Sequence, residues 1–580
     1  MKFSALFRSA AVAAIIAAGA CAENAPGAGA APSTADTVLK NGHIYTIAEG
    51  SPWAEAVAIK GGKFVAVGSN ADMEKWVGEG TVVEDLGGKF AMPGIIDEHS
   101  HPYVAGDEAL YQCQIPFTAS FDELVSIIAG CAAASSGDDW IVASAWGSHL
   151  LATFSVDGAL AEIDAVTAGH PLIMRDDTAH NAFANSAALA KAGITKESEA
   201  PEQGEFVKDP KSGELTGLLL ELASRVGWVA VPAHTPEEDA AAAKHAVEIL
   251  NGFGVTTFLD AAAAPRIASA YKLLDTEGGL TARAGVAMNE GVINVYADES
   301  IEQIVARRDD FRSENVMPDY VKFFLDGVPT SWTSAFVEPY LPTEAYGADF
   351  HGEMHHSLEH LSELVTLFDK MGLTIKIHAA ADASVNRALD AIEAARTANG
   401  DTGKYHQIAH AGYIVDSDLP RFKKLRAVVD ACPILWFPSP IIDAIAVTIG
   451  RERAEHYWPF RTLIDDGAVI AYGSDWPAAT PVPNPWLGIE AMVTRKDPLA
   501  QTPGALWPEQ AISLEETLKI FTMGGATAMN IADVTGSIEA GKSADMIVLD
   551  RNPFEIPADD ISDVVVLDTI YKGKTVHQAE

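Results

Sequence analysis

The stretch that decides the fold is Ala91-Met-Pro-Gly-Ile-Ile-Asp-Glu-His-Ser-His-Pro102. Its apolar run stops abruptly at polar residues, as a buried strand does where it reaches the edge of a sheet. Residues two apart on a strand point the same way, so His99 and His101 are predicted to project side by side from the strand end. Two converging imidazoles are typical ligands of a divalent metal, although a polar strand end with solvent-facing histidines fits the same pattern.

Short apolar strands alternate with helical segments over the middle of the chain, which is typical of a parallel α/β fold. We predict eight strands, at Met92–His99, Val255–Asp260, Ala282–Met288, Tyr320–Asp326, Thr374–His378, His406–His410, Ala427–Asp430 and Val469–Asp475. Eight βα units that close on themselves would form a TIM barrel. The first two strands are more than a hundred residues apart. We therefore expect a large insertion, at about residues 103–233, that forms a lid or pocket wall at the catalytic end.

Both ends of the chain carry short β-strands with turn residues between them. Near the start, turns are predicted at Asn41-Gly42 and Gly61-Gly62, and the end has a turn and strand from Gly536 to Asp550 followed by a hairpin. Neither end has enough strands for a stable sheet of its own. The economical arrangement is one small β-sandwich built from residues 37–91 and 534–580, with the barrel domain, residues 92–533, inserted between them.

The first twenty residues have the pattern of an export signal. Lys2 and Arg8 supply positive charge, and the apolar run Ala10–Ala18 is too short to span a bilayer. Small residues precede Cys21, which follows a cleavage site as in a bacterial lipoprotein. Residues 1–20 are therefore predicted to be a signal peptide, and residues 21–36 a flexible tether rich in Ala, Gly, Pro and Ser. We expect an exported, periplasmic protein, either released or held by a lipid on Cys21, with no membrane-spanning helix.

The charge of the chain argues against two classes of partner. Its 580 residues include 80 acidic and 40 basic side chains, which gives a net charge of −40. This balance disfavours binding to nucleic acid or to an anionic membrane surface. An acidic surface that keeps the protein soluble, for example in a salty habitat, explains it better than a specific cationic partner does.

The cysteines allow two interpretations. Cys113 and Cys131 could form a disulfide in an oxidising periplasm. Alternatively both are buried free thiols, as is Cys432. Because the cysteine spacing matches no zinc motif, any metal is expected to rest on His, Asp, Glu or Lys.

Ionisable side chains stand at or near the ends of five predicted strands. They are His99, His101, Lys322, His378, His410 and Asp475. In a barrel these strand ends meet at one mouth. A single His at a strand end is usually structural, whereas four His and one Asp that converge indicate a site for zinc or another first-row metal.

At these residues the sequence resembles the amidohydrolase superfamily, and within it the amidohydrolase 3 group, which includes N-substituted formamide deformylases and YtcJ-like proteins. The resemblance covers nearly the whole chain after Thr37. It rests on Pro93–His101, Val321–Gly327, Gly473–Pro477 and the tail Gly536–Asp550. Thr178–Ser186 and Gly213–Leu219, both within the insertion, favour the subgroup.

The resemblance implies a centre with two metal ions, expected to be zinc. His99 and His101 would bind one metal together with Asp475, and His378 and His410 the other. Lys322 would be carbamylated and bridge the two. Independently of the family, a lysine inside an apolar strand is costly as an unpaired cation. An ion pair between Lys322 and Asp326 is an alternative explanation of that lysine, and Lys376 is a rival for the bridging role.

These residues predict a metal-dependent hydrolase acting on a small molecule. Metal-bound hydroxide would attack a carbonyl group. Asp475 would accept the proton and deliver it to the leaving nitrogen, and His180 could steady the oxyanion. The expected bond is a non-peptide carbon–nitrogen bond, in an amide or a formamide-like group. A dipeptidase-like, ester-cleaving or lactone-cleaving enzyme fits the same residues, and a catalytically silent binding or regulatory protein is the alternative from another class.

Overall fold

The computed structural model describes residues 34–156, 158–177, 180–202, 204–292, 295–434, 436–478 and 480–579. The predicted signal peptide, Cys21 and most of the tether therefore lie outside the described residues. Thr178 and Ala179 of the insertion motif lie outside them as well. In the part that is described, none of the helices combines the length and the apolar character that a membrane crossing requires.

The described residues form 25 β-strands. In chain order they are β1 (Thr37–Lys40), β2 (His43–Tyr45), β3 (Trp53–Ala54), β4 (Ala56–Lys60), β5 (Lys63–Gly68), β6 (Val82–Asp85), β7 (Phe90–Pro93), β8 (Ile95–Ser100), β9 (Ile141–Trp146), β10 (Leu172–Asp176), β11 (Ala182–Ala184), β12 (Gly204–Lys208), β13 (Leu215–Glu221), β14 (Val255–Ala263), β15 (Arg283–Met288), β16 (Gly291–Val292), β17 (Val295–Tyr296), β18 (Val316–Phe324), β19 (Thr374–Ala379), β20 (His406–His410), β21 (Ala427–Ala431), β22 (Val469–Tyr472), β23 (Met546–Leu549), β24 (Val566–Tyr571) and β25 (Lys574–Gln578).

The same residues form 19 α-helices, several of which begin at a capping box. The side chains of the cap residues Ser120, Thr235 and Ser513 each accept a hydrogen bond from a backbone N–H of the first helical turn. In return, the backbone N–H of the cap residue donates to the glutamate three residues later. The helices are α1 (Asn70–Met73), α2 (Pro102–Tyr111), α3 (Phe121–Ala134), α4 (Leu151–Phe154), α5 (Ala159–Val166), α6 (Ser186–Lys191), α7 (Leu222–Trp228), α8 (Pro236–Gly252), α9 (Pro265–Thr276), α10 (Ile301–Ala306), α11 (Leu358–Lys370), α12 (Asp382–Asn399), α13 (Leu419–Leu425), α14 (Pro440–Ile449), α15 (Arg451–Glu455), α16 (Phe460–Asp465), α17 (Pro485–Thr494), α18 (Leu514–Lys519) and α19 (Gly525–Ala528).

Eight parallel strands form a nearly closed barrel in the order β8-β14-β15-β18-β19-β20-β21-β22. This confirms the predicted TIM barrel, and each predicted strand overlaps an observed one. At the mouth, two backbone hydrogen bonds join the first strand to the last. Asp475 N–H donates to His99 O and His101 N–H donates to Trp476 O, each over 2.7 Å. The two ends of the metal-ligand pattern are therefore tied together by the backbone.

The predicted strand Met92–His99 is in fact two strands in different sheets. β7 belongs to the β-sandwich, whereas β8 begins at Ile95 and belongs to the barrel. Gly94 lies between them, where a Cβ atom would stand 2.2 Å from Thr256 Oγ1. The chain can therefore pass this close to β14 only without a side chain at residue 94. The apolar run looks continuous in the sequence because both strands are buried.

The β-sandwich has one sheet made from the start of the chain and one made from both ends. The first sheet has the order β5-β4-β1-β6, and the second β25-β24-β23-β7-β2-β3. In the second sheet Ala91 of β7 pairs with Val548 of β23. The turn at Asn41 carries the chain from the first sheet to the second. One apolar core containing Leu39, Val57 and Met546 lies between the sheets.

The segment between β8 and β14 contains a five-stranded sheet of its own, in the order β12-β13-β11-β10-β9. Apolar side chains cover both of its faces, in one cluster around Trp146 and another around Trp228. Cys113 and Cys131 form a disulfide that ties α3 to the segment before it. The first of the two cysteine interpretations is therefore the one that the structure contains, and Cys432 is buried and free.

Candidate metal centre at the barrel mouth

The structure brings three of the predicted residues around one oxygen atom. His99 Nε2 and His101 Nε2 each lie 3.4 Å from Asp475 Oδ1, and all three residues are buried. His99 is the next-to-last residue of β8, His101 is the N-cap residue of α2, and Asp475 lies three residues after β22. Two zinc ligands at about 2.0–2.1 Å in tetrahedral geometry stand about 3.3 Å apart. The observed spacing therefore fits a metal held by these three side chains.

The protonation of the histidines also fits metal binding, which requires neutral imidazole. Burial, together with the positive charge of Lys322, holds the pKa of His99 well below its usual range. Burial likewise lowers the pKa of His378, and burial with the neighbouring His378 lowers the pKa of His410 to about 3. At neutral pH these rings present nitrogen lone pairs. Burial raises the pKa of Asp475, but the surrounding histidines, including His101 through a hydrogen bond, outweigh it and hold the pKa below its usual range, so the group is a carboxylate.

The turn after β22 is shaped to place Asp475. Asp475 has a positive φ of 57°, a conformation that costs free energy and persists only where surrounding contacts hold it in place. Asp97 enforces it by accepting the backbone N–H of Ser474 at 3.0 Å and its hydroxyl at 2.6 Å. A Cβ atom on Gly473 would lie 2.4 Å from His99 Cβ. Glycine at this position lets the last strand approach the first histidine.

Asp430 at the end of β21 orients His99, a role that the sequence did not reveal. His99 Nδ1 lies 2.6 Å from Asp430 Oδ2, so this nitrogen carries the proton and Nε2 faces Asp475. Lys376 Nζ contacts the same oxygen at 2.5 Å and Glu98 Oε2 at 3.1 Å. Lys376, the rival for the bridging role, is thus engaged in a buried ion-pair network. In the sequence, the sign of this role that could have been noticed is a carboxylate, Asp430, at the end of the otherwise apolar predicted strand Ala427–Asp430.

Lys322 lies beside the histidines and is buried. Its Nζ is 3.4 Å from His99 Nε2. Burial, together with the charge of Lys376, lowers the pKa of Lys322 to about 8. The alternative partner Asp326 bonds elsewhere, to His378 Nδ1 at 3.1 Å and to the hydroxyl of Ser384 at 2.6 Å. The carboxylate of Asp326 therefore positions His378.

The two histidines predicted to bind a second metal, His378 and His410, are adjacent, and Cys432 lies beside His410. The rings of His378 and His410 have centroids 4.6 Å apart. Within the described residues, three trios of possible ligand atoms lie within 4.8 Å of one another. The trios are His99–His101–Asp475, His410–Cys432–Asp475 and His99–Asp430–Cys432. His378 belongs to none of them. Two trios include Cys432, which the expectation of a metal held by His, Asp, Glu or Lys did not consider, because spacing along the chain does not report which strand ends converge.

His180 reaches the same region from the insertion. Its Nδ1 lies 3.0 Å from Glu221 Oε2. Burial lowers the pKa of His180, but Glu221, with smaller contributions from Asp176 and Asp326, raises it to about 9. His180 is therefore a positively charged side chain at neutral pH, close enough to His378 to lower the pKa of that residue.

Known proteins resemble this chain in sequence along almost its whole length. Residues 82–577 match the sequence model of the amidohydrolase family. The protein LONG AFTER FAR-RED 3 of Arabidopsis thaliana is 28% identical over 94% of this chain and 92% of its own length. An N-substituted formamide deformylase of Arthrobacter pascens is 27% identical over 93% of this chain and 97% of its own. YtcJ of Bacillus subtilis is 25% identical over 93% of this chain and 99% of its own.

A solved structure has the same architecture. An uncharacterized metal-dependent hydrolase from Pyrococcus horikoshii superposes with a TM-score of 0.70 at 24% identity, and the match covers 90% of this chain and 99% of that one. This likeness supports the fold, and the family match over residues 82–577 supports a metal-dependent hydrolase. The sequence resemblance is confirmed, and the chain belongs to the amidohydrolase family.

Proposed function

We propose that this protein is an exported hydrolase that cleaves a non-peptide carbon–nitrogen bond, in an amide or formamide-like group of a small molecule. The observation that carries the proposal is the position of His99 Nε2 and His101 Nε2, each 3.4 Å from Asp475 Oδ1 at the barrel mouth. The substrate class is supported by the relative named as an N-substituted formamide deformylase. The ligand residues alone fit several hydrolytic reactions. The choice of a carbon–nitrogen bond therefore depends on this relative.

Two zinc ions per chain fit the set of donor groups. His99, His101 and Asp475 would hold one of them, and His410 and His378 lie where a second could be held. When bound, such metals lower the pKa of water towards neutrality and polarise a carbonyl oxygen. Asp430 holds the tautomer of His99 and Asp326 that of His378, so both rings keep Nε2 turned away from their carboxylate partners.

Lys322 is proposed to be carbamylated. Its lowered pKa, about 8, leaves part of the amine neutral near physiological pH. The neutral nitrogen forms a bond to the carbon of CO₂ and releases one proton to solvent. The product is an anionic ligand in place of a buried cation, which removes the cost of the unpaired charge.

Asp475 and His180 are the proposed catalytic residues. Asp475 is a carboxylate at neutral pH, so it can accept a proton from water and deliver it to the leaving nitrogen. His180 is positively charged at neutral pH and Glu221 holds its ring through Nδ1, so its charge can stabilise the oxyanion.

Export is a separate part of the proposal. Residues 1–20 are proposed to be removed, leaving Cys21 at the start of a periplasmic chain with or without a lipid. Cell fractionation followed by mass measurement of the mature chain tests this. A lipid on Cys21 predicts membrane association that is lost in Cys21→Ser, whereas a full-length chain in the cytoplasm contradicts export.

The deciding experiment combines metal content with a substrate panel. Purified wild type, His99→Ala/His101→Ala and the control His360→Ala, which changes an exposed residue on α11, are analysed for zinc and tested on formamides, amides, dipeptides and lactones. We expect about two zinc ions and activity on formamides or amides in wild type and control, and loss of both in the double variant. Preferred cleavage of dipeptides or lactones would replace the proposed bond. Wild type without metal would favour a silent binding protein.

A further inference from the structure

Cys432 is a buried thiol at the end of the seventh barrel strand. It follows β21 directly and its side chain is 0% exposed. Its Sγ lies 3.8 Å from His410 Nδ1. Its ligand atom, one of His410 and one of Asp475 all lie within 4.8 Å of one another. The thiol therefore faces the same centre as the imidazoles.

A second observation concerns the carboxylate next to this thiol. Asp430 Oδ1 is buried and, among the described residues, has no hydrogen-bond donor. A buried carboxylate oxygen without a donor is costly, because it has lost water without compensation. One carboxylate oxygen of Asp430, one ring nitrogen of His99 and Cys432 Sγ lie within 4.8 Å of one another, so the thiol also belongs to a second cluster of possible ligand atoms.

We propose that Cys432 is a thiolate ligand of the metal centre, shared with His410 and Asp475. The inference rests on the proposed metal-dependent function and adds a ligand to it. On metal binding the Sγ–H bond breaks, the proton passes to solvent and an Sγ–metal bond forms, with no change in oxidation state.

The geometry suits this assignment. With zinc–sulfur at about 2.3 Å and zinc–nitrogen at about 2.0–2.1 Å, tetrahedral ligands stand about 3.6 Å apart. The distance of 3.8 Å between Cys432 Sγ and His410 Nδ1 is close to this value. A role as a nucleophile is less compatible, because a substrate carbon would have to reach a side chain with no exposed surface. A mixed nitrogen and sulfur site also favours zinc over magnesium or manganese.

X-ray absorption at the zinc edge tests the ligand directly. Full-length protein with its Cys113–Cys131 disulfide intact is loaded with zinc, and wild type, Cys432→Ser and Cys21→Ser are compared. We expect a sulfur scatterer at about 2.3 Å in wild type and in Cys21→Ser, and its loss in Cys432→Ser. The zinc Kd of Cys432→Ser is expected to rise by at least the 10–100-fold that loss of a supporting partner costs.

The outcomes separate the inference from the function on which it rests. Bound zinc with only nitrogen and oxygen neighbours in wild type overturns the cysteine ligand and leaves the hydrolase standing. Wild type that binds no zinc overturns both. If Cys432→Ser does not fold, cobalt-loaded wild type decides: a thiolate-to-cobalt charge-transfer band in the near ultraviolet supports the proposal, and its absence contradicts it.

Discussion

Two buried lysines occupy paired positions on neighbouring barrel strands and have opposite surroundings. Lys322 of β18 lies in register with Lys376 of β19. Lys376 Nζ contacts two carboxylates, of Glu98 and Asp430. Lys322 Nζ lies 3.4 Å from His99 Nε2. It also lies 5.0 Å from the centre of the Phe324 ring. Burial lowers the pKa of both, but the two carboxylates reverse the shift for Lys376 and leave its pKa raised.

The difference teaches that partners, rather than depth, decide what a buried lysine does. Lys376 is a permanent cation that binds two acidic strand ends together and supports His99 through Asp430. Lys322 is an amine that the fold keeps partly neutral, beside the metal ligands. The barrel mouth thus has a supporting side, formed by Glu98, Lys376 and Asp430, and a reacting side that includes Lys322 and Asp475.

The largest expected effect is on turnover, from a change on the reacting side. Asp475→Asn keeps the shape of the side chain and removes the base. We expect kcat to fall by roughly 10²–10⁴-fold. With saturating zinc, the zinc content and the unfolding midpoint should stay close to wild type, because His99, His101 and the amide oxygen of Asn can still hold the metal. Steady-state kinetics and elemental analysis measure this, with Asp465→Asn, an exposed position on α16, as the control. Unchanged turnover would remove Asp475 from the mechanism.

A change on the supporting side is expected to reduce stability instead. Lys376→Met leaves the carboxylates of Glu98 and Asp430 buried without their cation. Breaking such a buried pair costs about 3–5 kcal/mol in the free energy of unfolding. Denaturant unfolding at pH 7 measures this, with Lys322→Met as the matched substitution. Equal losses in the two variants would mean that the lysines do not differ.

The pH dependence of stability distinguishes the two lysines further. The pKa of Lys322 is about 8 in the fold, against about 10.4 in an unfolded chain. Between these values the unfolded chain binds more protons, so Lys322 destabilises the fold below pH 8 and this penalty disappears as pH rises. In metal-free, CO₂-free buffer, the free energy of unfolding of Lys322→Met should exceed that of wild type by up to about 3 kcal/mol at pH 7, and the excess should fall below about 1 kcal/mol at pH 10.

Lys376→Met provides the contrast in that titration. The raised pKa of Lys376 keeps its cation in place from pH 7 to 10, so its variant should be destabilised throughout this range. A stability difference for Lys322→Met that does not change with pH would contradict the lowered pKa.

The smallest expected effect concerns metal uptake by Lys322→Ala. Loss of the carbamate should weaken zinc binding by about 10–100-fold, and short carboxylates such as acetate or propionate should restore part of it. Competition with a coloured chelator measures the Kd. The same additives should leave Lys376→Ala unchanged, and full zinc affinity of Lys322→Ala without additives would argue against the carbamate.

Most of the fold was predictable because apolar strands and their polar ends repeat along the chain. All eight barrel strands were located, and the pairing of both chain ends in one sheet was inferred from strands too few to stand alone. The split at Gly94 was not predictable, since both strands are buried and no polar residue separates them. The separate sheet of the insertion was not predicted either, because its strands are spread among helices and loops.

The predicted ligands His99, His101 and Asp475 could be found from the sequence, since each lies at or just after the polar end of an apolar run. The contact of Asp430 with His99 and the position of Cys432 beside His410 were missed because they depend on partners far along the chain. Asp430 is 331 residues from His99, and Lys376 is 278 residues from Glu98. Only the closing of the barrel shows which of two equally buried lysines meets those carboxylates.

The sheet made from both chain ends constrains how a newly made chain matures. Ala91 pairs with Val548, and a ribosome adding roughly 5–20 residues per second needs about 20 to 90 seconds between them. During that time β7 has an open edge, one residue before the strand that carries the histidines. Premature termination before Met546 would leave that edge permanently unpaired, so truncated products should aggregate rather than form a smaller active enzyme.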